Sequence, residues 1–357
     1  MYLKISPPAL AGVEMTDKRG KRIATQYPGE IKLKGFHKSS PLRALWDILF
    51  NSSAGVHLMT RVKRVLTRRD FLRTGTCAAV GGLIALPLLG STLVKAGEQS
   101  RVVLVRNKEV LDNGGTLRPE ILEEMLDQAM CTLLEVPDAL SGWRRLFKPD
   151  DVVGVKSNVW YHLPTPGELE TAIQKRLVAV GVKGKNISVD DRGVLRNPVF
   201  QNATALINTR PMRTHHWSGL GTLLKNYIMF TPRPSKYHGN ACESLGALWQ
   251  LPHVVGRTRL NILVMLTPHF HGVGPHSFSA RYVWPYSGLI ISTDPVAADA
   301  TGARIIQAKR NLFFGKESPI SPPPHHIALA GSRYGLGHSL PDRIELIKLG
   351  WKENLLI

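Results

Sequence analysis

From residue 97 onward, short apolar runs rich in Val and Ile alternate with longer amphipathic stretches, and that rhythm restricts the chain to strands joined through helices. Strands are expected at Val102–Val105, Val152–Lys156, Ile187–Val189, Ala203–Asn208, Leu260–Leu266 and Leu289–Ser292. Helices are expected at Pro119–Leu134, Gly167–Val180, Leu220–Tyr227 and Pro295–Gln307, the first and last opening on a proline whose missing N–H costs nothing there. The strand runs are apolar almost throughout, which is what a sheet covered on both faces requires. The expected fold is therefore α/β, a mostly parallel sheet with helices on both faces, as one mature domain. A Pro-rich loop, Ser321–Pro324, is expected to lead into a last strand at Ile327–Ala330. No internal repeat interrupts this pattern.

Of the 357 residues 43% are hydrophobic, enough to bury a core. The formal charge of +19 is unevenly spread: residues 1–96 hold 16 Lys and Arg against 5 Asp and Glu, and residues 97–357 hold 30 against 22. The second part has no basic run interleaved with aromatics, so the charge does not indicate nucleic-acid binding. Cys131 and Cys242 lie far apart with no Cys-x-x-Cys spacing, which excludes an iron–sulfur cluster held by this chain. They read either as a disulfide formed after export or as two buried thiols.

The excess charge marks a targeting segment. Thr67-Arg68-Arg69-Asp70-Phe71-Leu72-Arg73 closes a basic stretch in which Asp70 is the one acid, and Thr74–Val94 is uncharged and largely apolar. That order is a twin-arginine signal, with small residues at Val94 and Ala96 before a mature start near Gly97. Residues 59–96 are thus assigned to the signal and residues 97–357 to the domain, with the twin-arginine translocase as partner and the periplasm as destination. That route carries proteins already folded. Residues 1–58 show neither periodicity nor a domain and read as a disordered or wrongly included upstream segment. An initiator at Met59 places Arg68 nine residues in. After Gly97 no apolar run approaches the ~20 residues of a membrane span, so the mature protein is expected to lack one.

In open α/β sheets ligands bind outside the carboxyl ends of the strands. Lys156 and Asn158 follow one expected strand, Asp190 and Asp191 another, and Arg210, Arg213, His215 and His216 a third. His269, His271 and His276 follow the next, and Asp294 and Asp299 come after Leu289–Ser292. Lys156, Arg213 and Lys225 form a cationic set suited to a carboxylate or phosphate, with Asn226 beside it. Each of these residues taken singly also reads as an ordinary polar loop residue, and Asp294 before Pro295 also reads as a helix N-cap. His269 and His271, two apart on an extended segment, point the same way and suggest a divalent metal, to which His238, His276, His215 and Asp294 are further candidate ligands. No G-x-G-x-x-G follows a strand and no Gly-x-Ser-x-Gly elbow occurs.

The stretches Asp151–Asn158, Asn208–His215 leading to Leu224-Lys225-Asn226, Gly274-Pro275 and Ser292–Ala300 resemble, in order and spacing, the prokaryotic domain of unknown function 362. The resemblance covers most of residues 100–310. It implies an α/β fold with its site at Lys156, Asn158, Arg213, His215, Lys225, Asn226, Asp294 and Asp299, and it supplies no reaction. Two positions depart from the family: Arg213 stands where a lysine is usual, and Asn261–Leu266 lacks the usual Asp. The sequence therefore points to an exported protein that binds an anionic or metal-bound ligand, as an enzyme of redox metabolism. A non-catalytic accessory or maturation protein for an exported redox partner is the alternative.

Overall fold

The computed structural model describes residues 99–272 and 278–357, together with a small antiparallel pair, Met15–Thr16 with Arg22–Ile23. The chain divides into two units, Met1–Ala85 and Leu86–Ile357, and that pair belongs to the first. The twin-arginine stretch and its cleavage site, the remainder of residues 1–58, and Gly274, Pro275 and His276 lie outside the described residues.

The second unit is built on an eight-stranded sheet. Its elements, in chain order, are β1 (Ser100–Arg106), α1 (Pro119–Leu134), α2 (Ala139–Leu146), β2 (Val153–Lys156), α3 (Gly167–Ala179), β3 (Ile187–Asp190), β4 (Ala205–His215), β5 (Gly219–Gly221) and α4 (Leu223–Asn226). There follow β6 (Thr258–His269), β7 (Gly288–Ser292), α5 (Pro295–Phe314), α6 (His325–Tyr334) and β8 (Ile344–Gly350), with short 3₁₀ turns between α4 and β6. Across the sheet the order is β8-β1-β7-β6-β4-β2-β3, and β5 hangs on the end of β4.

The sheet is mostly parallel and helices cover both faces. Alternate residues of each strand feed the two cores, as a period of two dictates. Val103, Val105, Ile262 and Val264 meet α1, α2 and α3 on one face; Val102, Leu104, Leu263 and Met265 meet α5 and α6 on the other. Val102–Val105 of β1, Ala205–Ile207 of β4, Ile262–Leu266 of β6 and Leu289–Ile291 of β7 are buried on both sides, which is why they read as unbroken apolar runs.

Three expectations are corrected. The run Ile327–Ala330 lies inside helix α6. A short apolar run has no period of its own, and here the last strand is Ile344–Gly350, which pairs in parallel with β1. The expected helix Leu220–Tyr227 begins as β5, antiparallel to Arg213–His215, and turns helical only from Leu223 to Asn226. Finally, β7 runs antiparallel to both β1 and β6, so its carboxyl end points to the edge where the other strands begin. The described residues of the 18-residue stretch between β6 and β7 carry no crossover helix, and a parallel neighbour requires one.

Candidate functional site

The reversal of β7 separates Asp294 from the other candidates. Asp294 Oδ1 accepts the N–H groups of Val296 and Ala297 at 2.7 and 2.9 Å, the N-cap of α5. Its Oδ2 accepts the Ser100 hydroxyl at 2.5 Å and the His338 N–H at 2.8 Å. The carboxylate thus ties the start of β1, the start of α5 and the segment after α6 together at the amino edge. The placement of Asp294 in one pocket with Lys156 and Arg213 is corrected accordingly. Asp299 lies five residues further along α5, about 7.5 Å at the helical rise, and reaches the cluster that Asp294 does not.

That cluster is built on β2 and β4. Lys156 pairs with Asn208, and Asn208 and Arg210 follow Leu206 at period two, so these polar side chains share the face packed by α5. Lys156 Nζ donates to Asp191 Oδ1 at 2.5 Å, to the Ser157 carbonyl at 2.7 Å and to Asn226 Oδ1 at 3.4 Å. Asp191 also accepts the Val159 N–H at 2.9 Å. Asn226 Nδ2 donates to Asn208 Oδ1 at 2.9 Å and to the Thr209 carbonyl at 3.1 Å, and Asn226 Oδ1 accepts from Asn158 at 3.3 Å. Arg213 donates to Asn158 Oδ1 at 2.9 Å while its guanidinium lies 4.2 Å above the Trp160 ring. One hydrogen-bonded chain, Arg213–Asn158–Asn226–Lys156–Asp191, therefore links residues from four segments.

Beside it, Asp299 accepts the N–H groups of Leu223 and Leu224 at 2.9 Å each and so caps α4, the element that carries Lys225 and Asn226. Lys225 Nζ reaches Cys242 Sγ at 3.6 Å. Cys242 closes a turn, Asn240-Ala241-Cys242, in which three successive non-glycine residues have φ of 48°, 53° and 65°. Cys131 and Cys242 are both free thiols, on opposite faces of the sheet.

Lys156, Asn158, Arg213, His215, Lys225, Asn226 and Asp299 are all buried, and they converge at the carboxyl edge. Arg210, which was grouped only with the polar residues after its strand, sits at their centre. It is 3% exposed, hydrogen-bonds to no carboxylate among the described residues, and its Nε lacks a partner. Arg213, 4% exposed, likewise has an unpartnered Nε and no salt bridge. Asn208 and Cys242 were thus missing from the candidate residues, and Asp191 and Arg210 were named only among the polar residues after their strands, although the step of two from Leu206 through Asn208 to Arg210 is visible in the sequence.

The electrostatics are those of buried cations in excess. Burial brings the Lys156 ammonium down to about 8 against the pull of Asp191. Burial acts upward on the Asp191 carboxyl, but Lys156 outweighs it and holds the group below its usual range. Burial lowers Arg210 to about 10, and burial together with Arg210 puts Arg213 well below its ordinary value. Lys225 falls to about 8, first through burial and then through Arg210 and Arg213, while Cys242 acts the other way. The Cys242 thiol is itself pushed up by burial, against the pull of Lys225. Burial raises Asp299 to about 7 despite its two N–H donors and Arg210. His215, whose Nδ1 accepts the Trp217 N–H at 3.2 Å, is driven far down by burial and by Lys225, Arg210 and Arg213, so its ring is neutral.

The other histidines have separate attachments. His238 packs on Trp217 and is lowered to about 4 by burial and Lys225. His269 Nδ1 meets Thr214 Oγ1 at 2.8 Å, and His271 Nδ1 accepts from Arg310 at 2.9 Å. Among the described residues, no three of His, Cys, Asp and Glu gather as metal ligands. Clefts of about 160 and 410 Å³ open elsewhere, around Pro211 and Leu266 and around Thr267 and Trp284, and neither is lined by the cationic cluster. Among the described residues no helix is long and apolar enough to cross a membrane.

Fold and site together define a mostly parallel α/β domain with a buried cationic cluster at the carboxyl edge of its sheet. The family model described as domain of unknown function (DUF362) matches residues 171–304, so over that stretch the resemblance drawn from the motifs holds. The match spans Asp191, Arg210, Arg213, His215, Lys225, Asn226, Asp294 and Asp299, and leaves Lys156 and Asn158 just upstream. No curated protein and no solved structure matches the chain.

Proposed function

We propose that this domain binds a small anionic ligand, through a carboxylate or phosphate group, at Arg210 and Arg213, and that it does so after export as a folded protein by the twin-arginine route. The observation that carries the reading is the pair of guanidinium groups, each less than 5% exposed, with unpartnered Nε atoms and no salt bridge among the described residues. A buried charge without a counter-charge is strongly unfavourable, and a ligand anion between two forked donors removes that penalty. Within the cluster, Asp191 is matched by Lys156, and Asp299 is engaged by two backbone N–H groups. Asp191 and Asp299 still act on Arg210, and Asp191 on Arg213, but Lys156, Arg210, Arg213 and Lys225 outnumber these two carboxylates, and the excess charge is left for the ligand. Asn158 fixes Arg213, Trp160 supports the face of its guanidinium, and Lys156 with Asn226 holds the frame.

Cys242, at the end of the turn Gly239–Cys242, sits 3.6 Å from Lys225 Nζ, and displacement of that turn is the proposed route of ligand entry. The test is thermal denaturation of the mature chain with inorganic phosphate, succinate and pyruvate at constant ionic strength. Saturable stabilisation by at least one of them, lost in Arg210→Met and Arg213→Met, is expected. Stabilisation that persists in both variants, or that none of the three anions produces, overturns the reading.

A further inference from the structure

We infer that Lys225 is a reactive amine that condenses with the carbonyl group of an oxo-acid whose anionic end is held by Arg210 and Arg213. This deepens the anion-binding reading and rests on it.

The two buried lysines of the site differ in their partners. Lys156 gives its hydrogen bonds to a carboxylate, a carbonyl and an amide oxygen. Lys225, 3% exposed, has one hydrogen bond among the described residues, and its acceptor is the sulfur of Cys242 at 3.6 Å. No carboxylate forms a salt bridge with it among the described residues. A thiol is a weak acceptor, so Cys242 is a poor substitute for a carboxylate in holding Lys225 in its ammonium form. The groups facing it are Cys242, Arg210, Arg213, His215, His238 and His326: two cations, three imidazoles and a thiol. Every cation in that set favours the free amine, the nucleophilic form, and the fall of the group to about 8 agrees with the geometry.

The same two arginines that disfavour the ammonium attract the anion of an incoming oxo-acid, which brings its carbonyl carbon to the amine. Nitrogen attacks that carbon and the C–N bond forms as the C=O pair moves onto oxygen. The proton lost by nitrogen passes to that oxygen, and a second proton transfer releases the oxygen as water when the C=N bond forms. Carbonyl compound and amine give imine and one water, with no oxidant or reductant. The Cys242 thiol, 3.6 Å from the nitrogen, is placed to relay the proton. Its turn holds three successive non-glycine residues in a left-handed conformation, a strained arrangement of the kind found at ligand sites.

The experiment is to incubate the full mature chain with pyruvate or glyoxylate and sodium cyanoborohydride at pH 8, and to locate the reduced adduct by intact mass and peptide mapping. Acetone, which has a carbonyl but no anionic group, serves as control. The expected result is one adduct per chain, at Lys225, suppressed by phosphate, absent with acetone, and lost in Lys225→Arg and Lys225→Met. Lys175→Arg, at an exposed lysine outside the site, should retain it. Thermal stabilisation by pyruvate without reduction is measured in parallel. Stabilisation that depends on Arg210 and Arg213 but leaves Lys225 unlabelled sinks the imine and spares the anion site. Absence of both effects sinks both, and an adduct spread over surface lysines or fixed at Lys156 refutes the assignment of Lys225. Near-ultraviolet circular dichroism of Lys225→Arg and Lys225→Met separates loss of the amine from loss of the fold.

Discussion

Gly337 lies so close to Asp294 that a Cβ placed on it would stand 1.9 Å from Asp294 Oδ1. The glycine also has φ of 150°, a conformation that side chains rarely adopt. The carboxylate it approaches already accepts four donors, from Ser100, Val296, Ala297 and His338. Burial raises the Asp294 carboxyl even so. Gly337→Ala should therefore force the carboxylate off its partners and destabilise the fold strongly. Asp294→Asn keeps the cap through its oxygen but turns an amide N–H toward the N–H of His338, a loss of about 1–3 kcal/mol. Neither change should alter anion binding in protein that remains folded, because both lie at the amino edge. Urea unfolding and phosphate titration of the two variants check this, and lost binding in folded Asp294→Asn would return Asp294 to the site.

Asp299 gives a pH signature. Its carboxyl stands at about 7 in the folded protein and near 3.8 when unfolded, so between these values the folded state holds more protons. The stability it contributes is complete below pH ~4 and is lost as pH rises through 7. The stability difference between the wild type and Asp299→Asn should fall over that interval and level off above it. Measuring the difference cancels the buried histidines, whose lowered pKa values act in the opposite direction. A flat difference from pH 4 to 8 would mean that Asp299 stays ionised, as a cap of α4 alone. Asn at this position also leaves one of the two N–H groups without an acceptor, which should lower stability by about 1–3 kcal/mol at every pH.

The architecture was legible where burial on both faces imposed unbroken apolar runs, as in β1, β6 and β7. It was illegible where that cause is absent. β8 is an edge strand carrying Glu345 and Lys348, and the outer half of β4, Asn208–His215, is polar because it lines the site. Much of the buried cluster was legible for a different reason: Lys156 and Asn158 end or follow β2, Arg213 and His215 close β4, and Lys225 and Asn226 follow β5, so all converge at the carboxyl edge. Asp294 departed from that rule because an apolar run such as Leu289–Ser292 reads alike in either direction. The signal that does give the direction is the stretch from residue 270 to 287, which contains no amphipathic run long enough to cross back. Arg210 was passed over because the strand was ended at Asn208, which left its partner at period two in the loop.

Export makes a prediction on the sequence alone. Changing Arg68 and Arg69 together to Lys should retain the precursor in the cytoplasm, because the paired guanidinium groups are what the translocase reads. Mature protein recovered from the periplasm should begin close to Gly97. Unimpaired export of the double variant, assayed by cell fractionation, contradicts the signal assignment.

The last prediction concerns the cost of keeping two guanidinium groups buried without a salt bridge. An uncompensated buried charge destabilises the free protein, and its replacement by an apolar side chain of similar volume is often neutral or stabilising by about 1–4 kcal/mol. Arg210→Met should therefore raise the unfolding temperature of the anion-free protein, or leave it unchanged, and lower anion affinity at least tenfold. Arg213→Met should lower affinity similarly but gain less stability, because Arg213 also bonds to Asn158 and stacks on Trp160. Arg213→Lys keeps the charge yet lacks the planar fork, so the affinity should fall between those of the wild type and Arg213→Met. The contrast is diagnostic: a guanidinium serving only as structure would lose stability on removal, whereas one held for a ligand loses binding and relaxes the free fold. Calorimetric melting with and without phosphate reads both quantities in one series. A free protein clearly destabilised by Arg210→Met, with anion-induced stabilisation unchanged, would assign Arg210 to the frame of the domain.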